Sequence, residues 1–135
     1  MPNTTAQEIY DCFESTFSDK IEIPDSLEHQ WLIMSISKYN TEIATTADTE
    51  LIYDKVLGIF DKKINSSIIV LLGSYMRVLY QEREYSRVNK IASIVGKDLS
   101  VNSGMSLSKY SEKELVYHVN KTNDMTEKQK PSAMV

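Results

Sequence analysis

The chain has 135 residues, 41% of them hydrophobic and 25% charged, with 4 glycines and 3 prolines. That length suits one domain with a single core, the composition favours neither a disordered nor a membrane class, and the scarcity of turn residues argues against an all-β fold. The net charge of −4 conceals a polarity: residues 1–61 carry 12 Asp/Glu against 3 Lys, giving −9, and residues 62–135 carry 12 Lys/Arg against 7 Asp/Glu, giving +5.

Such a polarity bears on association more than on fold. It is open to two readings, neutralisation within one domain or head-to-tail packing of identical subunits, acidic half against basic half. Cys12 is the only cysteine, so an intrachain disulfide scaffold is excluded. The segment Met1 to Thr5 lacks the basic stretch and apolar run of a secretory signal. No apolar run approaches the roughly 18 residues that would span a bilayer. The expectation is a soluble chain with no membrane partner.

Along the chain, Ile9, Phe13 and Phe17 recur at four-residue spacing, with Ala6 and Tyr10 beside them, and predict a helix from about Thr5 to Phe17. Cys12 sits at the edge of that stripe, as a packing residue. Pro24 breaks the chain, and Asp25 followed by Glu28 reads as a capping box that opens a second helix reaching about Ala44. Leu27, Trp31 and Met34 form its expected buried row, widened by Leu32, Ile36, Tyr39 and Ile43. Asp48 is the expected cap of a third helix carrying Leu51, Ile52, Val56, Ile59 and Phe60, with Gly58 marking a close crossing or a bend.

Asn65-Ser66-Ser67 offers caps for a fourth and longest helix that runs to about Ile94 and stops at Gly96. It is apolar nearly all round from Ile68 to Leu79 and thinner after Tyr80, which predicts a buried first half and an exposed second half. Residues 98–107 alternate apolar and polar side chains around Asn102-Ser103-Gly104, as a loop or short hairpin would. Ser111 and Glu114 then open a final helix with Leu115, Val116 and Val119. The expected fold is therefore all-α, a compact bundle of about five helices in one domain over residues 1–125. Residues 126–135 follow as an extended, flexible tail that orders on partner binding.

No constellation for chemistry emerges. Cys12, His29 and His118 fall in no paired metal-ligand spacing, no nucleophile signature surrounds Cys12, and Gly96-Lys97 lacks a phosphate cradle. The pairs Glu82/Glu84 and Glu112/Glu114 do not share a helical face. An enzyme, a metal or a cofactor is not expected. Arg83, Arg87 and Lys90, at i, i+4 and i+7, form one basic stripe on the long helix, open to reading as a solvated face, a protein interface or a nucleic-acid contact. Glu82 and Glu84 dilute it, and a sequence pI near 5.2 opposes a dedicated duplex binder.

Tyr80, Glu82, Arg83, Glu84, Tyr85 and Arg87, then Lys97-Asp98-Leu99-Ser100-Val101, the last helix, and the Lys-rich tail ending in Pro131-Ser132-Ala133 resemble the head-tail connector (adaptor) proteins of long-tailed bacteriophages. The resemblance spans roughly Leu27 to Val135. It implies a subunit of a homo-oligomeric ring, typically a dodecamer, lying between the portal protein and a tail-proximal neck or stopper protein. DNA would pass nearby without sequence readout. It further implies residence in the virion neck after assembly in the host cytoplasm. Arg83, Arg87, Lys90 and Lys97 become the candidate subunit interface, and Lys128, Lys130, Pro131, Ala133, Met134 and Val135 the candidate portal-binding tail. The alternative is a small helical regulatory or partner-binding module of a bacterial or phage system.

Overall fold

A computed structural model describes residues 2–18, 22–44, 46, 49–95 and 101–130, with side chains throughout except at 90–95 and 101–108. Helix α1 (Ala6–Glu14) starts where the Thr5 backbone N–H donates to Glu8 Oε2 at 2.8 Å, one half of a capping box. Ala6, Ile9 and Phe13 are buried, and Glu8, Asp11 and Glu14 face water. The helix ends short of the expected Phe17. That ring nevertheless stays on the core, edge-on to Phe13 at 5.3 Å and to Tyr80 at 4.7 Å, a favourable geometry for aromatic quadrupoles.

Helix α2 (Asp25–Glu42) follows Pro24, whose carbonyl accepts from Leu27 N and Glu28 N at 3.0 and 3.1 Å. Asp25 is thus the first helical residue rather than the cap, and the expected Asp25/Glu28 capping box does not form. The buried row is Trp31, Leu32, Ser35, Ile36 and Tyr39, continued by Ile43. Met34, expected in that row, is exposed, because at 100° per residue it lies opposite the Leu32–Ile36–Tyr39 stripe.

The expected third helix is instead a β-hairpin. Strands β1 (Tyr53–Asp54) and β2 (Ile59–Phe60) pair antiparallel, with Tyr53 opposite Phe60 and Asp54 opposite Ile59. Two local features decide against a helix. Asp54 Oδ1 accepts from Val56 N at 2.9 Å and Leu57 N at 3.0 Å, and Gly58 takes φ +69°, a left-handed conformation that closes a turn and that glycine adopts without a Cβ penalty. Leu51 and Phe60 reach the core as expected, but Ile52 and Val56 do not.

The approach to this hairpin is fixed from α2. Asn40 Oδ1 accepts from Leu51 N at 2.8 Å, and its Nδ2 donates to Leu51 O at 3.0 Å, so one side-chain amide satisfies both backbone groups of a buried residue. The N-terminal strap ties down the other side. Phe60 N donates to Thr4 O at 2.9 Å, Thr4 N to Lys62 O at 3.2 Å, and Ile64 N to the buried Thr4 Oγ1 at 2.7 Å.

Helix α3 (Ser66–Val95) begins where expected, with Ser67 N donating to Asn65 Oδ1 at 3.1 Å. Its 30 residues extend about 45 Å at 1.5 Å per residue. Leu71, Leu72 and Met76 are fully buried beneath α1 and α2. Gly73 lets α1 approach closely: a Cβ there would lie 3.2 Å from Phe13 N and 3.3 Å from Cys12 Sγ, tighter than ordinary carbon contacts.

Helix α4 (Val101–Gln129) returns antiparallel along α3, closing on it through Tyr75 and Thr126, whose hydroxyls lie 2.6 Å apart. The helix already includes residues 101–107, so most of the expected loop is helical, and residues 98–100 lie outside the described residues. Ser111, expected as an N-cap, is a buried mid-helix residue. The helix also passes the expected domain boundary at 125, because Thr126 is buried and its Oγ1 donates to Thr122 O at 2.9 Å. Among the described residues the fold is mostly helical, with four helices and one two-stranded hairpin.

Candidate assembly surface

The α3–α4 hairpin has two unlike halves. Around Leu71, Leu72, Tyr75 and Met76 it is enclosed by α1 and α2. Beyond the buried Gln81, residues 82–89 of α3 are all exposed or half-buried. A purely α3–α4 pairing cannot bury a helix on all sides, so this half presents an exposed face by construction.

A groove of about 440 Å³ lies where the two halves meet, between the end of α1 and the hairpin. Phe17, Arg77, Tyr80, Tyr110 and Glu114 are among its walls. Arg77 lies 3.7 Å over the Phe17 ring and 5.5 Å from the Tyr80 ring centroid, and its Nη1 donates to Thr16 O and Thr16 Oγ1, both at 3.3 Å. Its Nε is buried without a hydrogen-bond partner. Burial lowers the Arg77 pKa, against the raising influence of Tyr80 and Glu114, yet a guanidinium remains charged at any physiological pH. His118 is also lowered, by burial first and then by Arg77, while Glu114 Oε2, 3.7 Å from Nε2, opposes the shift. It is therefore largely neutral at pH 7.

A second, shallow groove of about 420 Å³ lies on the outer side of α4, lined by Lys109, Glu112, Lys113, Val116 and Tyr117. Val116 and Tyr117 are large side chains left exposed there, and Tyr110 is exposed beside the first groove. Exposed apolar residues at such density mark contact surfaces more often than scattered ones do.

The residues expected at the subunit interface are only partly placed. Arg83 and Arg87 are exposed on the outer half of α3, and Arg87 Nη2 pairs with Glu84 Oε2 at 3.1 Å, so the basic stripe is partly neutralised by its own helix. The Lys90 side chain and Lys97 lie outside the described residues. Of the expected tail, Lys128 is exposed in the last turn of α4, and Lys130 Nζ reaches Glu127 Oε1 at 3.0 Å. Pro131, Ala133, Met134 and Val135 lie outside the described residues. The groove beside Arg77 was not anticipated: the only sequence signal was an arginine within an otherwise apolar helical stretch.

Across the molecule, α1 and α2 bring carboxylates together. Glu28 is buried at 9% exposure, and its pKa is pushed up to about 7 by burial first, then by the charge and hydrogen bond of Glu14, and by Asp25 and Asp11. Nearby, Tyr10 is pushed up to about 12, by burial and then by Tyr53, Glu28 and Asp25; its hydroxyl is 3.2 Å from His29 Nδ1. The described residues contain no group of three or more His, Cys, Asp or Glu arranged to hold a metal ion. None of their helices is long and apolar enough to cross a membrane. Comparison with known protein families, curated proteins and solved structures finds no match for this chain.

Proposed function

We propose that the chain is a structural virion subunit of the head-tail connector type. Copies associate into a ring, a dodecamer by analogy with the resemblance, between the portal protein and a tail-side neck or stopper protein. DNA passes through the ring without sequence readout, and no catalysis or cofactor is involved. Assembly takes place in the host cytoplasm and the product resides in the virion neck. The observation that supports this reading is the hairpin enclosed by α1 and α2 at one half and projecting from them at the other, with exposed Arg83 and Arg87 on one helix and exposed Tyr110, Val116 and Tyr117 on its partner.

In this reading Lys128, Lys130 and the residues after them engage the portal. A chain ending at Lys130 keeps the Tyr75–Thr126 closure and removes only residues 131–135, so it tests the tail without opening the hairpin. Electron microscopy of the full chain mixed with a candidate portal should reveal a ring of matching symmetry, and absence of any complex would remove the connector reading. The shortened chain should bind the portal more weakly; unchanged binding would remove the tail's role.

The groove beside Arg77, with three aromatic side chains and a cation, favours one other reading, a helical module that takes a segment of a single partner protein. A discrete complex of one chain with one partner, without rings, would select it.

A further inference from the structure

We infer that the turn joining β1 to β2 is a docking knob whose occupied site is the outer groove of α4 on a second copy of this chain. The inference rests on the ring reading for its biological setting, but the contact itself concerns only two copies. Val56 and Leu57 at the tip are 93% and 69% exposed. A mobile loop could fold such side chains inward, but this one is held. Asp54 Oδ1 accepts from both their backbone N–H groups, Gly58 N donates to Asp54 O at 2.8 Å, and Gly58 O accepts from Ala6 N at 2.8 Å. The turn is thus pinned to the first residue of α1 and presents two aliphatic side chains to water in a fixed direction, a preorganised contact that loses little entropy on docking.

The matching surface lies on the outer side of α4, round that helix from the Arg77 groove. Past the C-terminus of α1, Phe17 meets Tyr80, and Phe17, Tyr80 and Tyr110 share the Arg77 groove. Val116 and Tyr117 follow along α4 beside their own shallow groove. Val56 and Leu57 stay exposed in a turn that Gly58 ties to Ala6, so within one chain the tip does not cover this surface. Two different patches that complete each other only between copies make a heterologous contact, the kind that generates rings when the rotation closes.

Charge fits the same pairing. Asp54 and Lys55 immediately precede the tip, with Glu50 exposed ahead of the hairpin, while Lys109, Glu112 and Lys113 line the groove. The carboxylates exceed the cations on the tip side and the cations exceed the carboxylate at the groove, which favours the apolar groups meeting in this sense. The tip also belongs to the acidic stretch of the sequence, residues 1–61 at −9, and the groove to the basic one, residues 62–135 at +5.

Disulfide trapping tests the contact in the full chain, with Cys12→Ser as background. Leu57→Cys in one copy and Val116→Cys in another, mixed under mild oxidation, should give the tip–groove heterodimer at least ten-fold faster than Leu57→Cys with Gln30→Cys on the outer side of α2. Predominant tip–tip or groove–groove dimers, or a rate equal to the control, would overturn the proposal. All three positions are solvent-accessible, so circular dichroism should show unchanged folding. The outcome separates this contact from the ring reading: portal rings without the cross-link retain the connector and discard the knob, whereas the cross-link without portal rings does the reverse.

Discussion

The two halves of the α3–α4 hairpin are continuous in both helices yet held by different physics. From Ser66 to Gln81 the packing is three-sided: Leu71, Leu72 and Met76 have no exposed surface, and the Tyr75 hydroxyl joins a chain through Thr126 Oγ1 to Thr122 O. From Glu82 to Asn89 each side chain keeps contact with water. A long helix does not require a uniform stripe. It needs enough burial along one stretch to anchor the remainder, which is then available for other contacts.

The sharpest way to break this contrast is a cavity in each half. Met76→Ala removes a fully buried side chain and should cost about 2–5 kcal/mol, whereas Val88→Ala, half-buried beside the Arg77 groove, should cost under about 1.5 kcal/mol. Denaturant unfolding with unchanged slope measures both; equal losses would mean that the outer half is packed as tightly as the inner.

A smaller effect is expected where α1 meets α2, on the body that encloses the inner half. The Glu28 pKa is raised to about 7, above the ordinary carboxyl value near 4.3, so the folded chain holds a proton that the unfolded chain has released. This group's contribution is fully present below the unfolded value and is lost as pH rises through about 7. Glu28→Gln should therefore raise the melting temperature by a few degrees at pH 8 and leave it nearly unchanged at pH 4, as followed by thermal scans. A gain of equal size at both pH values would point to packing rather than ionisation.

The smallest effect belongs to the outer half. Arg87→Ala removes the exposed pair with Glu84 and should change stability by under about 0.5 kcal/mol in chemical denaturation. If the outer half is a contact surface, the same change will alter association more than folding.

The start of α3, its apolar first half and its thinner second half were all legible from periodicity, because a 30-residue helix repeats its pattern often enough to be read. The β-hairpin was not. Two-residue strands are too short to display alternation, and Leu51, Val56, Ile59 and Phe60 fit helical spacing equally well. The deciding signals were Asp54 and Gly58, which together specify a turn. Asn102-Ser103-Gly104 misled in the opposite direction: turn formers were absorbed into a helix stabilised by its pairing with α3.

As to the candidate site, Arg83 and Arg87 could be placed on a helix face, but the Glu84 partner and the Arg77 groove could not. The groove depends on residues 17, 77 and 110 meeting, and separations of that kind leave no local pattern. The connector reading came from resemblance rather than from any such pattern.

The strap at Thr4 carries a consequence for synthesis. Its bonds run to Lys62 and Ile64, about sixty positions later, and Ile9 and Phe13 find their cover only when Leu71 and Leu72 have emerged from the ribosome. The strap segment must therefore wait, unpaired, until about sixty further residues have been made. Final closure waits longer still, for Thr126 to reach Tyr75. Order of manufacture and order of completion therefore differ here, so the Thr4 strap becomes secure only after residues 62–64 are available.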